Sequence, residues 1–316
     1  MEPAICLKEV TKRYGSQPAL ERVTLEVPRG VVFALLGENG AGKTTSIRIA
    51  LGLAEPDAGE ATVLGLASCR QGLKIRQQVG YVSERPTLYD WMTVDEIGWF
   101  TAGFYPDGFL TRYRELVHAF KLVPQQKLKA LSKGMRAKVG LALALGHDPE
   151  LLILDEPTSG LDAIVRREFL ESMVDRAAQG KTVFLSSHQI AEVERVADLV
   201  AILRGGQLLL VERWDTLRSQ VREFTLVLPD GAAPPELGGE ILSRRNRNRQ
   251  WQILVRNPDE QVVGRLRNDA NVTGWDERAP NLEEIFVAYM QREGSDVQNS
   301  ILPVEDCPTS QTNCPA

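Results

Sequence analysis

Nine residues, 37-GENGAGKTT-45, restrict the fold more than any other part of the chain. They fit the pattern G-x-x-x-x-G-K-[ST]. Their surroundings are the ones that pattern needs, with the apolar run 31-VVFALL-36 before them and a helical stretch from 47 to about 54 after. Gly37, Gly40 and Gly42 let the backbone curl until its N–H groups point inward, and the N-terminus of the next helix adds partial positive charge. A strand, loop and helix joined in this way cradle phosphate oxygens. In such a loop Lys43 reaches the β and γ phosphates of a nucleotide and the Thr44 hydroxyl ligates Mg2+. A glycine-rich turn with an exposed lysine is the plainer reading of the same residues, and the strand–loop–helix context argues against it.

The remaining pattern predicts what surrounds that unit. Residues 5 to 36 are strand-rich, with β-branched residues in partial alternation. Helices are predicted over 94–104, 111–120, 132–146, 163–179 and 189–197, and strands over 151–154, 182–187 and 199–205. Strands alternating with helices imply an α/β fold: a mostly parallel sheet covered on both faces, with a β-rich N-terminal part and an inserted helical subdomain. Composition shifts near 215. Beyond it lie strand candidates at 224–229 and 251–256, a loop at 231–239, and a helix predicted from Pro258 behind Asn257. A second helix is predicted behind Asn281, with Glu284 in capping-box position. The expected organisation is therefore a first domain over 1–215 with its helical subdomain at about 85–146, a small α+β domain over 216–292, and a disordered polar tail over 293–316.

Charge and composition exclude several classes. A net charge of −5 is not that of a general nucleic-acid binder, so no nucleic-acid partner is expected. No apolar run approaches the ~18 residues of a membrane span. The start, MEPAICLKEV, lacks the basic and apolar regions of a signal peptide. Cys6, Cys69, Cys307 and Cys314 have no metal-ligand spacing, and a reduced, cytosolic chain is the plainer reading.

Three further residues belong with the loop. In 151-LLILDEPTSGLD-162 a buried strand runs into two adjacent acids. Asp155 then lies at the carboxyl edge of the sheet, where open α/β folds bind ligands, and an acid there holds magnesium directly or through water. Glu156 beside it is placed to polarise an attacking water. Alone, the pair would read as a solvated turn. His188 also follows a strand, 182-TVFLSS-187, so a third polar group is expected at the same edge; a lone histidine is otherwise usually structural or solvated.

Taken together these residues resemble the ATP-binding subunit of an ABC transporter. Segment 37-GENGAGKTT-45 matches that family's Walker A loop, which implies nucleotide contacts from Asn39 and Thr45 as well as Lys43 and Thr44. Segment 151-LLILDE-156 matches the Walker B strand, 159-SGLD-162 the D-loop with Asp162, and His188 the switch histidine. Tyr14 in 12-KRYG-15 matches the aromatic residue that stacks on adenine. The most specific match is 131-LSKGM-135, which resembles the signature loop and opens a helix, so that Ser132 and the N–H groups at Lys133 and Gly134 are placed to hold an anion. The resemblance covers roughly residues 4 to 215, and 281-NLEEIFVAYM-290 is similar to the carboxyl ends of some bacterial members. It implies ATP and Mg2+, a head-to-tail homodimer or heterodimer sandwiching two ATPs, and a separate integral membrane permease. It further implies an exporter, and a cytoplasmic chain peripheral on the inner face of the membrane. The accessory domain would be regulatory or would stabilise the dimer.

Two departures stand out. Glu84 in 80-GYVSE-84 replaces the usual glutamine; a carboxylate there still ligates magnesium, but its charge near the γ-phosphate needs metal or Arg85 to offset it. Lys133 and Met135 replace glycine and glutamine, and Lys133 either contacts the partner's nucleotide or points to solvent. On this reading Lys133→Gly changes affinity or turnover only modestly. Tyr89 and Trp91 in 88-LYDWM-92 are either a socket for a permease helix or subdomain core, and the arginines of 243-SRRNRNRQW-251 are either a solvated hairpin loop or a contact for anionic lipid. Two rival classes remain: a soluble ABC-type ATPase serving a ribosomal, DNA or regulatory partner, and a nucleotide-binding regulatory module without turnover.

Overall fold

The computed structural model describes residues 2–292. The stretch 293–316, expected to be a disordered tail, lies outside the described residues together with Cys307 and Cys314. The described chain clusters into two compact units, one of residues 2–188 and 203–208, the other of 189–202 and 209–292.

The first unit opens with β1 (Ile5–Tyr14) and β2 (Gln17–Val27), an antiparallel hairpin. Then come β3 (Val32–Leu36), α1 (Lys43–Ala50), β4 (Ala58–Val63), β5 (Leu66–Ala67), α2 (Ser68–Gln78) and β6 (Val79–Val82). The helices α3 (Val94–Ala102), α4 (Phe109–Ala119) and α5 (Lys133–Leu145) follow, then β7 (Leu151–Asp155), α6 (Ala163–Ala178) and β8 (Thr182–Ser187). An antiparallel sheet runs β2–β1–β4–β5, and a parallel one runs β6–β7–β8–β3. Every residue of β3, β7 and β8 is buried, as strands covered on both faces require. Their register sets Asp155 beside Ser186 and Leu36 beside Ser187, so the three strands end together at one edge.

The helical subdomain has its own core, built on Met92, Ile97, Phe109, Tyr113, Leu128 and Val139. Thr93 and Glu96 close a capping box at the start of α3, and the Tyr113 hydroxyl donates to the Val94 carbonyl at 2.6 Å. The segment 88-LYDWM-92 divides between its two readings. Met92 is buried and Leu88 packs on the core, while Tyr89 and Trp91 are 48% and 66% exposed.

Behind α5, His147 stacks on Tyr105 with ring centroids 4.5 Å apart, and neither ring nitrogen has a hydrogen-bond partner among the described residues. Burial, and then the Arg176 charge, push its pKa down to about 4, while the Asp148 carboxylate pulls weakly the other way. An unfolded histidine takes its proton near pH ~6.5. Between those values the unfolded chain binds the extra proton, so stability falls as pH falls through that window. Allowing for the ring's partial exposure, the loss is on the order of 2 kcal/mol at pH 4. His147→Phe should remove this acid limb, read as unfolding midpoints at pH 7 and pH 4.5; an unchanged pH dependence would count against the assignment.

The second unit comprises α7 (Ile190–Val193), β9 (Leu199–Arg204) and β10 (Gln207–Arg213) apart from their residues 203–208, which cluster with the first unit, and α8 (Trp214–Gln220). It continues with β11 (Val221–Val227), β12 (Glu240–Arg247), β13 (Gln250–Arg256), α9 (Glu260–Leu266), β14 (Gly274–Arg278) and α10 (Leu282–Gln291). An antiparallel sheet of order β12–β13–β11–β14 packs on Phe224, Leu226, Ile253 and Val255. α10 starts with the capping box predicted at Asn281 and Glu284. The other predicted start shifts. Asn257 lies in the left-handed region and α9 is capped by Asp259, whose carboxylate accepts from the N–H groups of Gln261 and Val262. The arginines of 243–251 are mostly strand, since β12 pairs with β13 through Arg247 and only 248–249 form the turn. The helix predicted over 189–197 is one turn long.

Candidate functional site

The carboxyl ends of β3, β7 and β8 deliver the polar groups, and the loop 37–42 lies between β3 and α1. Lys43, the first residue of α1, is buried; its ammonium donates to the carbonyls of Gly37 at 2.6 Å and Glu38 at 3.1 Å. It also pairs with Glu156 at 3.0 Å. The other oxygen of Glu156 accepts from His188 Nδ1 at 2.7 Å and from the His188 backbone N–H at 3.3 Å. A carboxylate has no proton to give, so Nδ1 carries the hydrogen of this bond. Glu156 is therefore a bridge between the lysine of the glycine loop and the histidine at the end of β8. Its backbone is in the left-handed region, φ 49°, uncommon for a residue with a side chain. The N–H of Glu156 donates to the Ser186 carbonyl and hydroxyl, both at 3.2 Å, which holds that conformation.

Asp155 faces the neighbouring hydroxyls. One oxygen accepts from Ser186 Oγ at 2.6 Å and from Thr44 Oγ1 at 3.2 Å. Thr44 and Asp155 thus present adjacent hard oxygens, the donor type magnesium takes while keeping water and substrate phosphate as its other ligands. Such a site needs no dense protein cage, and no group of three or more His, Cys, Asp or Glu suited to a metal ion occurs among the described residues. The residues present fit the ion.

Other candidates stand around this centre. Gly37 and Gly42 are buried in the loop, while Asn39, Gly40 and Thr44 are exposed and Thr45 is half-buried. Ser132 caps α5 by accepting from the Met135 N–H at 3.2 Å, and Gly134 passes close to Val165 at the start of α6. Asp162 caps α6, accepting from Ile164 and Val165 N–H groups. The loops 131–135 and 159–162 are therefore neighbours within one chain. Tyr14 ends β1 half exposed, with the Lys12 ammonium 5.7 Å from its ring centre. Glu84 is exposed; its one polar contact among the described residues is Arg85 at 3.9 Å, and it is not bonded to Thr44 or Asp155.

Two members of the site escaped the sequence reading. Ser186 holds Asp155 and Glu156 together, and its signal was the register of two parallel strand ends, which needs the pairing to be known. Tyr81, at the middle of β6, has its phenol pushed up to about 12 by burial and then by the Asp155 charge, so it stays protonated beside that carboxylate.

Comparison with known proteins agrees with this arrangement. A family profile described as ABC transporter matches residues 20–159. The Nod factor export ATP-binding protein I of Rhizobium etli is 33% identical over 300 residues, covering 92% of this chain and 94% of that protein. The chain belongs to the ABC transporter ATP-binding proteins. The bacitracin transport ATP-binding protein of Bacillus licheniformis is 34% identical over 71% of this chain and 74% of its own length. A solved structure titled as the ATP-binding subunit of an ABC transporter superposes with a TM-score of 0.64 at 33% identity, over 68% of this chain and 92% of that one. Like other ABC ATP-binding proteins, this chain is an α/β ATPase of the P-loop fold that binds and hydrolyses ATP, and the mostly parallel core expected from the sequence is the one found. No helix among its described residues is long and apolar enough to cross a membrane.

Proposed function

We propose that this chain is the ATP-hydrolysing subunit of an exporter, working as a homodimer or with a similar second subunit, and driving a separate membrane permease from the cytoplasmic face. The observation that carries the reading is the Glu156 bridge, 3.0 Å from Lys43 and 2.7 Å from His188. A buried carboxylate between a phosphate-binding lysine and a histidine is placed to orient and deprotonate a water attacking the γ-phosphate. A bound phosphate competes with Glu156 for the lysine, so nucleotide binding frees the base. Thr44 and Asp155 would hold Mg2+, which when bound neutralises charge on the phosphates. The loop 37–45 with Gly37, Asn39, Gly40, Gly42 and Thr45 takes the phosphates, and Tyr14, exposed at the end of β1, takes the adenine face. Ser132, Gly134 and Asp162 complete the site of the second subunit. Glu84, unbonded to the centre, would approach the metal only after leaving Arg85.

The export direction is supported by the printed name of the Rhizobium relative, a Nod factor export ATP-binding protein. Residues 216–292 would act as a regulatory or dimer-stabilising domain. The permease contact falls on Tyr89 and Trp91, whose rings lie 6.2 Å apart on the surface. Affinity capture of the full chain from detergent-solubilised host membranes should retain a polytopic partner. Trp91→Ala should reduce its recovery about tenfold, within the range of an aromatic anchor lost from an interface. Recovery of soluble partners alone would overturn the transporter reading.

A further inference from the structure

Helix α7 is too short to hold itself. It is a single turn, and one turn fixes more backbone freedom than its few hydrogen bonds return. Packing within the second unit has to supply the difference. Ile190 and Val193 are buried, and α7 lies against α10, where Leu282, Ile285 and Phe286 are buried in turn.

One polar contact fastens the pair. The carboxylate of Glu194, at the carboxyl end of α7, accepts from the backbone N–H of Leu282 at 3.3 Å. Leu282 is the first residue of α10, so its N–H is one of those a helix leaves without an internal acceptor. The capping box serves the N–H groups of Asn281 and Glu284, and Glu194 serves that of Leu282. The dipole of α10 favours a negative charge at this end, whereas α7 gains nothing from an acid at its own carboxyl end. α10 is tied to the accessory sheet as well, since the Tyr289 hydroxyl accepts from the buried Arg256 of β13 at 3.4 Å.

Directly before α7 stands His188, with Gln189 alone between it and the first residue of the helix. Its ring and its backbone N–H both bond one oxygen of Glu156, at 2.7 and 3.3 Å. Two bonds to a single atom tolerate little drift in the backbone that carries them. We propose that Glu194 is a positioning residue for His188: by fastening α7 to α10 it fixes the backbone from which the histidine meets Glu156. The accessory domain thereby regulates hydrolysis through its last helix. Whatever lifts α10 from α7 slows the chemical step without weakening ATP binding. This rests on the reading of Glu156 and His188 as the hydrolytic pair, and it gives the regulatory role of residues 216–292 a site.

The test uses the full-length chain and two readouts: steady-state phosphate release over a range of ATP, and the ring NMR signals of protein labelled at histidine. The chain has three histidines, so the His188 signals are assigned by their loss in His188→Ala. Glu194→Ala should lower kcat about tenfold with KM for ATP unchanged, as expected when a reacting group is misplaced but binding is intact. It should also move the His188 signals and leave those of His118 and His147 in place. Glu194→Gln keeps an acceptor for the Leu282 N–H and should recover most of kcat, with a thermal midpoint near that of wild type. On the His188→Ala background Glu194→Ala should add nothing, because its effect passes through the ring already removed. Unmoved His188 signals, a KM that rises as kcat falls, glutamine no better than alanine, or a full further loss in the double variant would each overturn the proposal while leaving the hydrolytic pair standing. His188→Ala turning over like wild type would instead remove His188 from the reaction, and the role of Glu194 with it.

Discussion

Glu156→Gln should cut steady-state phosphate release by at least about a hundredfold, the range a positioned general base supplies, while ATP binding survives. Glutamine keeps the shape of the side chain but cannot accept the proton of water at neutral pH. The same exchange has a second consequence that separates this site from a merely structural ion pair. Lys43 and Glu156 are both buried and lie 3.0 Å apart, so removing the carboxylate's charge leaves the ammonium with neutral oxygens alone, the carbonyls of Gly37 and Glu38 among them. A buried charge stripped of its partner destabilises the chain by up to about 3 kcal/mol. Phosphate oxygens restore a partner. The variant should therefore melt below the wild type without nucleotide and gain more from ATP, with affinity equal or a few-fold tighter. Thermal midpoints with and without ATP, alongside phosphate release, read both effects. Turnover within a fewfold of wild type would remove Glu156 from the chemistry. An ATP-induced shift no larger than that of wild type would show that the lysine and the carboxylate do not compete.

The sequence carried the centre of this site because its parts are local. Lys43 and Thr44 follow the glycines directly, Asp155 and Glu156 end one apolar run, and His188 ends another; each is fixed by the strand before it, and parallel strands under helices end at a common edge. What it did not carry depends on pairing between distant segments. Ser186 matters only because β8 lies beside β7 with Asp155 opposite it. The placement of Lys133 over Gly160 joins two loops that sequence order does not connect. Errors at element ends have the same origin in competition between equivalent local signals. Asn257 and Asp259 are both good caps, and Asn257 loses because its backbone is left-handed, φ 52°, whereas Asp259 has the extended backbone a cap needs. The arginine run looked like a loop because four like charges disfavour burial. As an edge strand β12 keeps those side chains in water while its backbone pairs on one side only, with β13.

The glycines of the nucleotide loop look interchangeable in the sequence, yet their replacement should separate sharply. Gly42 has φ +109° and forms the N-terminal cap of α1, and a Cβ there would run into the Ala19 carbonyl oxygen and stand 2.8 Å from the Leu20 Cδ2. Relief requires moving the β2 backbone or unwinding the first turn of α1, the turn that places Lys43 and Thr44. Gly42→Ala therefore adds backbone strain to an overlap with main chain, about 3 kcal/mol or more in sum, and should abolish ATP binding. Gly40 also has a positive φ, +81°, but a Cβ there meets nothing within 4 Å. Gly40→Ala should cost only the left-handed conformation, about 1 kcal/mol, and leave the helix start in place. Unfolding free energies from denaturant curves, with nucleotide binding measured on the same samples, give the contrast. If the two alanine variants were equally stable and bound ATP alike, close approach to β2 would not be what holds Lys43 at the phosphate site.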